Sequence, residues 1–285
     1  MPELSAIRTD QLFFHYSVDD TEESSEYDLH CHPTYELFYL ISGSVSYLVE
    51  GRQYHPVPGS VLLMRPGVFH GRRHEGGTYE RGAVHFSPLL LEEANRNRLL
   101  APFHDQGGNG CYYTDADACG FSSLFEALSV CAGFPEPERV LCSRYAVETL
   151  LASLVHMSKS RRSDVSSPTV SGVVNEVLWY LNEDIAKPVT LDALSAKFFI
   201  SKHHLNKVFR AATGTTVMEY VIRKRVMLTQ QLMQEGRTST EAAEKAGFGD
   251  YSNFYRAYRR ITGHAPSADK VVHDTVNVAG QLSLL

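Results

Sequence analysis

The chain has 285 residues, 43% hydrophobic and 21% charged, enough to bury a full core and to form about two domains, so disorder on a large scale is excluded. Residues 1–10 lack a basic segment followed by an apolar one, and no run reaches the roughly 18 apolar residues that cross a bilayer, so the chain is expected to stay in the cytosol with no membrane partner. The net charge of −6 is uneven: residues 1–168 carry −9, residues 169–270 carry +4 and the last fifteen carry −1, an asymmetry that fits nucleic-acid binding and equally an ordinary solvated helical surface.

From Glu26 to Pro88 the sequence predicts short strands at Tyr35–Ile41, Val45–Glu50, Tyr54–Val57, Val61–Met64 and Ala83–Phe86, rich in Tyr, Phe, Val and Leu. Glu50-Gly51 and Pro58-Gly59 supply the reversals between them, because glycine adopts positive φ without steric cost. The spacing implies a small antiparallel barrel. Within it stand His30-Cys31-His32, Glu36 and, further on, Pro66-Gly67 and His70. Side chains alternate along a strand, so 30, 32 and 36 share a parity and can project into one cavity. Three imidazoles and a carboxylate can hold a divalent metal such as zinc, iron, manganese or nickel. They can equally line a ligand cavity by hydrogen bonding with no metal, and both readings stand. The set resembles the two motifs of the cupin superfamily, with Arg65 where the first proline of the second motif would be. His85 is a further candidate on a later strand. Tyr35 and Tyr47 would add to a polar, aromatic lining, and His74 is expected at the surface beside Arg72 and Arg73. The five cysteines, Cys31, Cys111, Cys119, Cys131 and Cys142, include no C-x-x-C pair, so neither a disulfide framework nor a thiolate zinc site is indicated.

From Phe121 onward the pattern turns helical. Pro137 to Arg162 carries Val140, Leu141, Val147, Leu150, Leu151, Leu154 and Val155 at three- and four-residue spacing. This stripe either packs on the barrel or pairs with its copy in a second subunit, and a homodimer is expected. Ser163 to Pro168 is short, polar and ends in proline, as interdomain linkers do. The expected organisation is a barrel over 1–120, a helical segment over 121–162, a linker over 163–168, an all-α domain over 169–270 and a tail over 271–285.

The helical domain contains a repeat. Leu191 to Ser195, Ile200-Ser201, Leu205, Phe209-Arg210 and Thr213-Gly214 recur as Ser239 to Ala243, Phe248-Gly249, Phe254, Tyr258-Arg259 and Thr262-Gly263, offset by 48 residues before the turn and 49 after it. Each copy has a short first helix with a small residue (Ser195, Ala243), a tight turn, and a second helix with apolar anchors four apart. Thr238 and Glu241 form a capping-box pattern, and Gly247 stands at the sharp turn. A continuous helix from Val217 to Gln234 would hold the two units apart so that both enter the major groove, about 34 Å per helical turn.

The second copy, Gly247-Phe248-x-Asp250-x-Ser252-x-Phe254-x-Arg256 through Arg259-Arg260-Ile261-Thr262-Gly263-His264-Ala265-Pro266, resembles the AraC/XylS family of transcription factors over about 100 residues of the domain. The resemblance implies a sequence-specific regulator that binds double-stranded DNA under the control of a small molecule, a carbohydrate being the class such barrels commonly sense. In such units the start and outward face of the second helix reach base edges: Ser201, Lys202, His203, His204, Asn206 and Lys207 in the first, and Asp250, Tyr251, Ser252, Asn253 and Arg256 in the second. Arg suits guanine, Asn suits adenine, and Lys serves guanine or phosphate. The alternative is a metal-dependent cupin enzyme, a dioxygenase or isomerase, with an appended helical domain. No catalytic residue is assigned, because an enzyme has no use for a duplicated helix-turn-helix.

Overall fold

The computed structural model describes residues 3–24, 27–104, 111–160 and 172–271. The linker expected over 163–168, and the tail after Val271, lie outside the described residues. In chain order the first half comprises β1 (Glu3–Arg8), β2 (Leu12–Glu23), β3 (Asp28–His30), β4 (Tyr35–Ser42), β5 (Val45–Val49), β6 (Arg52–Tyr54), β7 (Ser60–Met64), β8 (His70–Phe86), α1 (Glu93–His104), β9 (Tyr112–Tyr113), α2 (Phe121–Cys131) and α3 (Glu138–Ser160). All pairings are antiparallel, in the order β1-β2-β8-β4-β7-β9, with β3 and the β5–β6 hairpin attached to the start of β8. β8 is the spine of the barrel: its first residues pair with β3 and β5, the remainder with β2 and β4. It changes partners between His74 and Glu75, just ahead of Gly76 and Gly77, whose φ angles of 80° and 82° only glycine adopts without strain.

β1 and β2 lie ahead of Glu26, where the sequence pattern places no strand. The reason is chemical. The lumen-facing positions of β2 include His15, Ser17 and Asp19, so the usual alternation of apolar and polar residues is blurred. Helix α1 is similarly concealed, since its buried residues are confined to Leu99, Leu100, Pro102 and Phe103 near its end.

β4 is buried along both faces. Phe38 and Leu40 face the lumen with Tyr47, Leu62, Met64 and Tyr79, while Tyr35, Leu37 and Tyr39 face α1, α2 and α3 with Val84 and Phe86. Val147, Leu150, Leu151 and Leu154 of α3 are at most 1% exposed in this outer layer, and burial of such a side chain contributes about 1.5–3 kcal/mol. The α3 stripe therefore packs on the barrel. Apolar residues left outside include Val140, Leu141 and Tyr145 of α3 and Val130 of α2, 39%, 54%, 60% and 62% exposed, so the start of the α3 stripe does not share in this packing. Gly82 of β8 lies so close to the Phe125 ring of α2 that a Cβ there would collide with it.

The second half is helical: α4 (Gly172–Glu183), α5 (Leu191–Lys197), α6 (Lys202–Thr213), α7 (Val217–Gln234), α8 (Ser239–Lys245), α9 (Tyr251–Thr262) and α10 (Pro266–Val271). Side chains of Thr190, Ser201, Thr216, Thr238 and Asp250 cap α5 to α9 by accepting from backbone N–H groups that have no partner within the helix. Thr238 and Glu241 complete the capping box. Gly214 and Gly263 end α6 and α9 in the left-handed conformation. α7 belongs to two cores. Val217, Tyr220 and Val221 pack with Leu194, Leu205 and Phe209, whereas Val226, Met227 and Met233 pack with Ala242, Ala243, Phe254 and Tyr258. At 1.5 Å per residue its 18 residues span about 27 Å, so it sets a fixed distance between the two units. Gly247, at φ 89°, abuts Ala186 of the loop before α5, so the second turn rests on the first unit. Among the described residues no helix is long and apolar enough to cross a membrane.

Candidate functional site

The barrel gathers His30, His32, Glu36 and His70, whose ligating atoms all lie within 4.8 Å of one another. They do not come from one strand, as the shared parity implied. His30 ends β3, the chain then turns through His32 and Thr34, and Glu36 starts anew on β4. His30 and His70 are register partners across β3 and β8, as are Glu36 and His85 across β4 and β8. His32 Nε2 and His70 Nε2 stand 2.9 and 2.8 Å from the same oxygen, Glu36 Oε2, and His85 Nε2 is 4.0 Å from Oε1. Tyr47 is buried in the lumen against Phe38, with ring centroids 4.6 Å apart. His74 is half-buried against Tyr79, not at the surface.

Burial alone would raise the Glu36 pKa. The nearby His85 and His70, with the hydrogen bond from His32, outweigh it and keep the carboxyl well below its ordinary range. Burial likewise pushes His70 down, and the charge of the adjacent Glu36, with the hydrogen bond to the Val68 carbonyl, reverses the sign. Burial pushes His85 down to about 3 against the opposing charge of Glu36. His70 Nδ1 lies 2.8 Å from the carbonyl of Val68, which can only accept, so Nδ1 carries the hydrogen. Its Nε2 faces Glu36 Oε2 off the line of a directed hydrogen bond. A lone pair and a carboxylate that close together require a positive species between them, either a second proton on His70 or a metal ion. The donor set thus fits a divalent cation.

Beside the tetrad, β2 and β8 contribute a charged wall that the sequence pattern did not reveal. Arg81 Nε is 3.5 Å from Asp19 Oδ2 and Arg81 Nη1 is 3.3 Å from His15 Nε2. Asp19 and Arg81 are 3% and 4% exposed, and Asp19 Oδ1 has no hydrogen-bond partner among the described residues. The period-two spacing of His15, Ser17 and Asp19 was the available signal, once β2 is recognised as a strand.

In the helical half, the 49-residue offset aligns exposed basic residues as well as the fold. Lys207 and Arg210 of α6 correspond to Arg256 and Arg259 of α9, and all four are exposed. Arg210 and Arg259 were not singled out from the sequence, although the repeat aligns them. Ser201 and Asp250, also equivalent, are N-caps: Ser201 Oγ accepts from His204 N and Asp250 Oδ2 from Asn253 N. Lys202, His203, His204, Ser252 and Asn253 are exposed at the helix starts. Lys202 pairs with Asp192, and Arg256 donates to Asn253 Oδ1 at 2.6 Å, exposed bonds that solvent or a ligand readily replaces. Tyr251 OH is 3.3 Å from Ser239 Oγ. Asn206 points elsewhere: its Oδ1 accepts from Val217 N at 3.1 Å, tying α6 to the first turn of α7. Asn206→Ala is expected to lower the melting temperature by the loss of a hydrogen bond contributing about 1 kcal/mol, with duplex sequence preference unchanged; calorimetry and selection from randomised duplexes check the two halves of this expectation.

Residues 15–151 match the family model described as an AraC-like ligand binding domain, and residues 194–270 match a helix-turn-helix domain. The chain is 24% identical over 254 residues to the HTH-type transcriptional activator RhaS of Escherichia coli O6:H1, covering 88% of this chain and 90% of that protein. It is 21% identical over 246 residues to YfiF, an uncharacterized HTH-type transcriptional regulator of Bacillus subtilis strain 168, covering 84% and 77%. A solved structure of ToxT from Vibrio cholerae aligns over 90% of this chain and 98% of that one, at 14% identity and a TM-score of 0.37. With both domain models matched in this order, relatives that span both halves, and a barrel joined to twin helix-turn-helix units, the chain is a transcriptional regulator of the AraC family with an N-terminal ligand-binding domain.

Proposed function

We infer that the barrel senses a small hydroxylated molecule of the carbohydrate class, that α6 and α9 read two successive major-groove segments, and that the chain acts as a homodimeric cytoplasmic regulator and not as a catalyst. The observation that carries this reading is the paired basic face, Lys207 with Arg210 and Arg256 with Arg259, repeated at one spacing on a rigid α7. Relatives spanning both halves are named as transcriptional regulators, which favours binding over turnover.

The ligand class follows from the lumen. Asp19 Oδ1 is a buried acceptor in need of a donor, and Arg81 and His85 present further hydrogen-bonding groups beside it. Neighbouring hydroxyls on one molecule match that pattern, since each both donates and accepts. His30, His32, Glu36 and His70 would hold a divalent ion, which as a Lewis acid would anchor a ligand oxygen. Pairing of two copies is supported by the apolar outer residues Leu141 and Tyr145, which the barrel leaves uncovered.

Arg256→Ala is expected to weaken binding to a selected duplex by about 1–3 kcal/mol and to relax preference at one base pair. Lys207→Ala is expected to weaken all duplexes alike and to flatten the salt dependence by about one ion. Fluorescence anisotropy over a salt series separates them, and unaltered binding by both variants contradicts the reading. In a thermal-shift panel of neutral monosaccharides and alditols, a stabilising sugar should lose its effect in Asp19→Asn, because the amide offers one acceptor fewer. The double substitution Leu141→Glu, Tyr145→Glu should sediment as a monomer where the parent sediments as a dimer.

A further inference from the structure

The tetrad strands also make the seam between the two halves. The segment that carries His30 and His32 into the lumen carries Cys31 away from it, where it packs with both helical cores. His70 faces inward, and Phe69 before it stacks on Tyr220 of α7 with centroids 4.8 Å apart. The β5–β6 turn completes the seam at Glu50. Its backbone N–H donates to the Phe69 carbonyl at 2.8 Å, and Phe69 N–H donates back to Glu50 Oε1 at 3.0 Å.

The carboxylate of Glu50 then reaches the helical half. Lys224 Nζ lies 2.8 Å from Oε1, Asn182 Nδ2 donates to Oε2 at 2.9 Å, and the Tyr220 hydroxyl donates to Oε2 as well. Glu50 sits at φ 47°, a left-handed conformation that glycine or asparagine adopts more readily. A shorter or absent side chain would relax the turn but would not span to α7. On the neighbouring face of α7, Glu219 accepts from Arg260 of α9 at 2.8 and 2.9 Å, so α7 is bonded both to Glu50 of the barrel and to the second helix-turn-helix unit.

We propose that Glu50, with Phe69 and Cys31, forms the joint through which occupation of the barrel site and duplex binding by α6 and α9 influence one another. This rests on the reading of His30, His32, Glu36 and His70 as that site, and it names the route of its regulation. Linkage makes the influence reciprocal: if an ion in the barrel changes duplex affinity by some factor, the duplex changes ion affinity by the same factor.

The experiment uses the full chain, zinc ion as the probe and a duplex recovered from a randomised pool. Zinc affinity is measured with and without duplex by calorimetry. Trp179, the single tryptophan, is 69% exposed on the wall of a cleft of about 800 Å³ between the halves and reports their approach by fluorescence. In the parent, duplex should change zinc affinity at least about fivefold, and zinc should shift Trp179 emission. In Glu50→Gln and in the milder Tyr220→Phe, zinc and duplex should each still bind while that factor falls to within about twofold of unity. A factor preserved in both variants overturns the joint. So does a parent that binds zinc at the tetrad yet shows no linkage to duplex, while the reading of the site survives. Zinc binding undiminished in His70→Ala instead removes the reading of the site, and the proposed route with it.

Discussion

A β-strand buried on both faces must satisfy two environments with alternate side chains, and this constraint governs the molecule. β8 meets it at its start and again from Arg81 to Phe86, where the strand is buried. Inward it presents His70, Tyr79, Arg81, Ala83 and His85 to the lumen; outward it presents Val84 and Phe86 to a helical layer. Where both faces are buried, each polar group on the inner face must find a partner inside the barrel. Glu36 is held charged by the histidines around it, and Arg81 shares Asp19 and His15. A lumen furnished with buried charge is costly to fold around, and that expense is consistent with a binding site more than with a mere core.

The helical half answers a different need. Two short helix pairs cannot each bury enough surface alone, so both borrow from α7, whose ends belong to separate cores. Anchors at Leu205 and Phe209, and at Phe254 and Tyr258, bury one side of α6 and of α9 and leave the opposite side to cations. Lys207 and Arg256 occupy equivalent places because packing, repeated at a 49-residue offset, dictates which side remains free. Domain separation is consequently a property of helix geometry and not of loop length.

Elements with strong local signals were legible in the residues. The capping box at Thr238 and Glu241, the reversal at Glu50-Gly51 and the long helix of Glu138–Ser160 each depend on neighbours in sequence, so their patterns survive without a tertiary context. β2 was not legible, since its inner face carries His15, Ser17 and Asp19 where a strand pattern expects apolar residues. The orientation of Asn206 was not legible either. Its residue type suits adenine, and only the position of Val217 in the fold reveals the backbone N–H that its oxygen accepts from.

The amino-acid sequence by itself determined the class of the protein: a strand-rich half, a duplicated helix-turn-helix half, and the residue types of the His and Glu set, because periodicity, caps and motif spacing are short-range properties. Tertiary structure alone decided which residues share the lumen, that α3 covers the barrel, and that Glu50 reaches Lys224 and Tyr220 of α7. The physical reason is separation along the chain. Glu50 and Tyr220 stand 170 residues apart, and a bond across that distance follows from packing two finished halves, which no local pattern encodes.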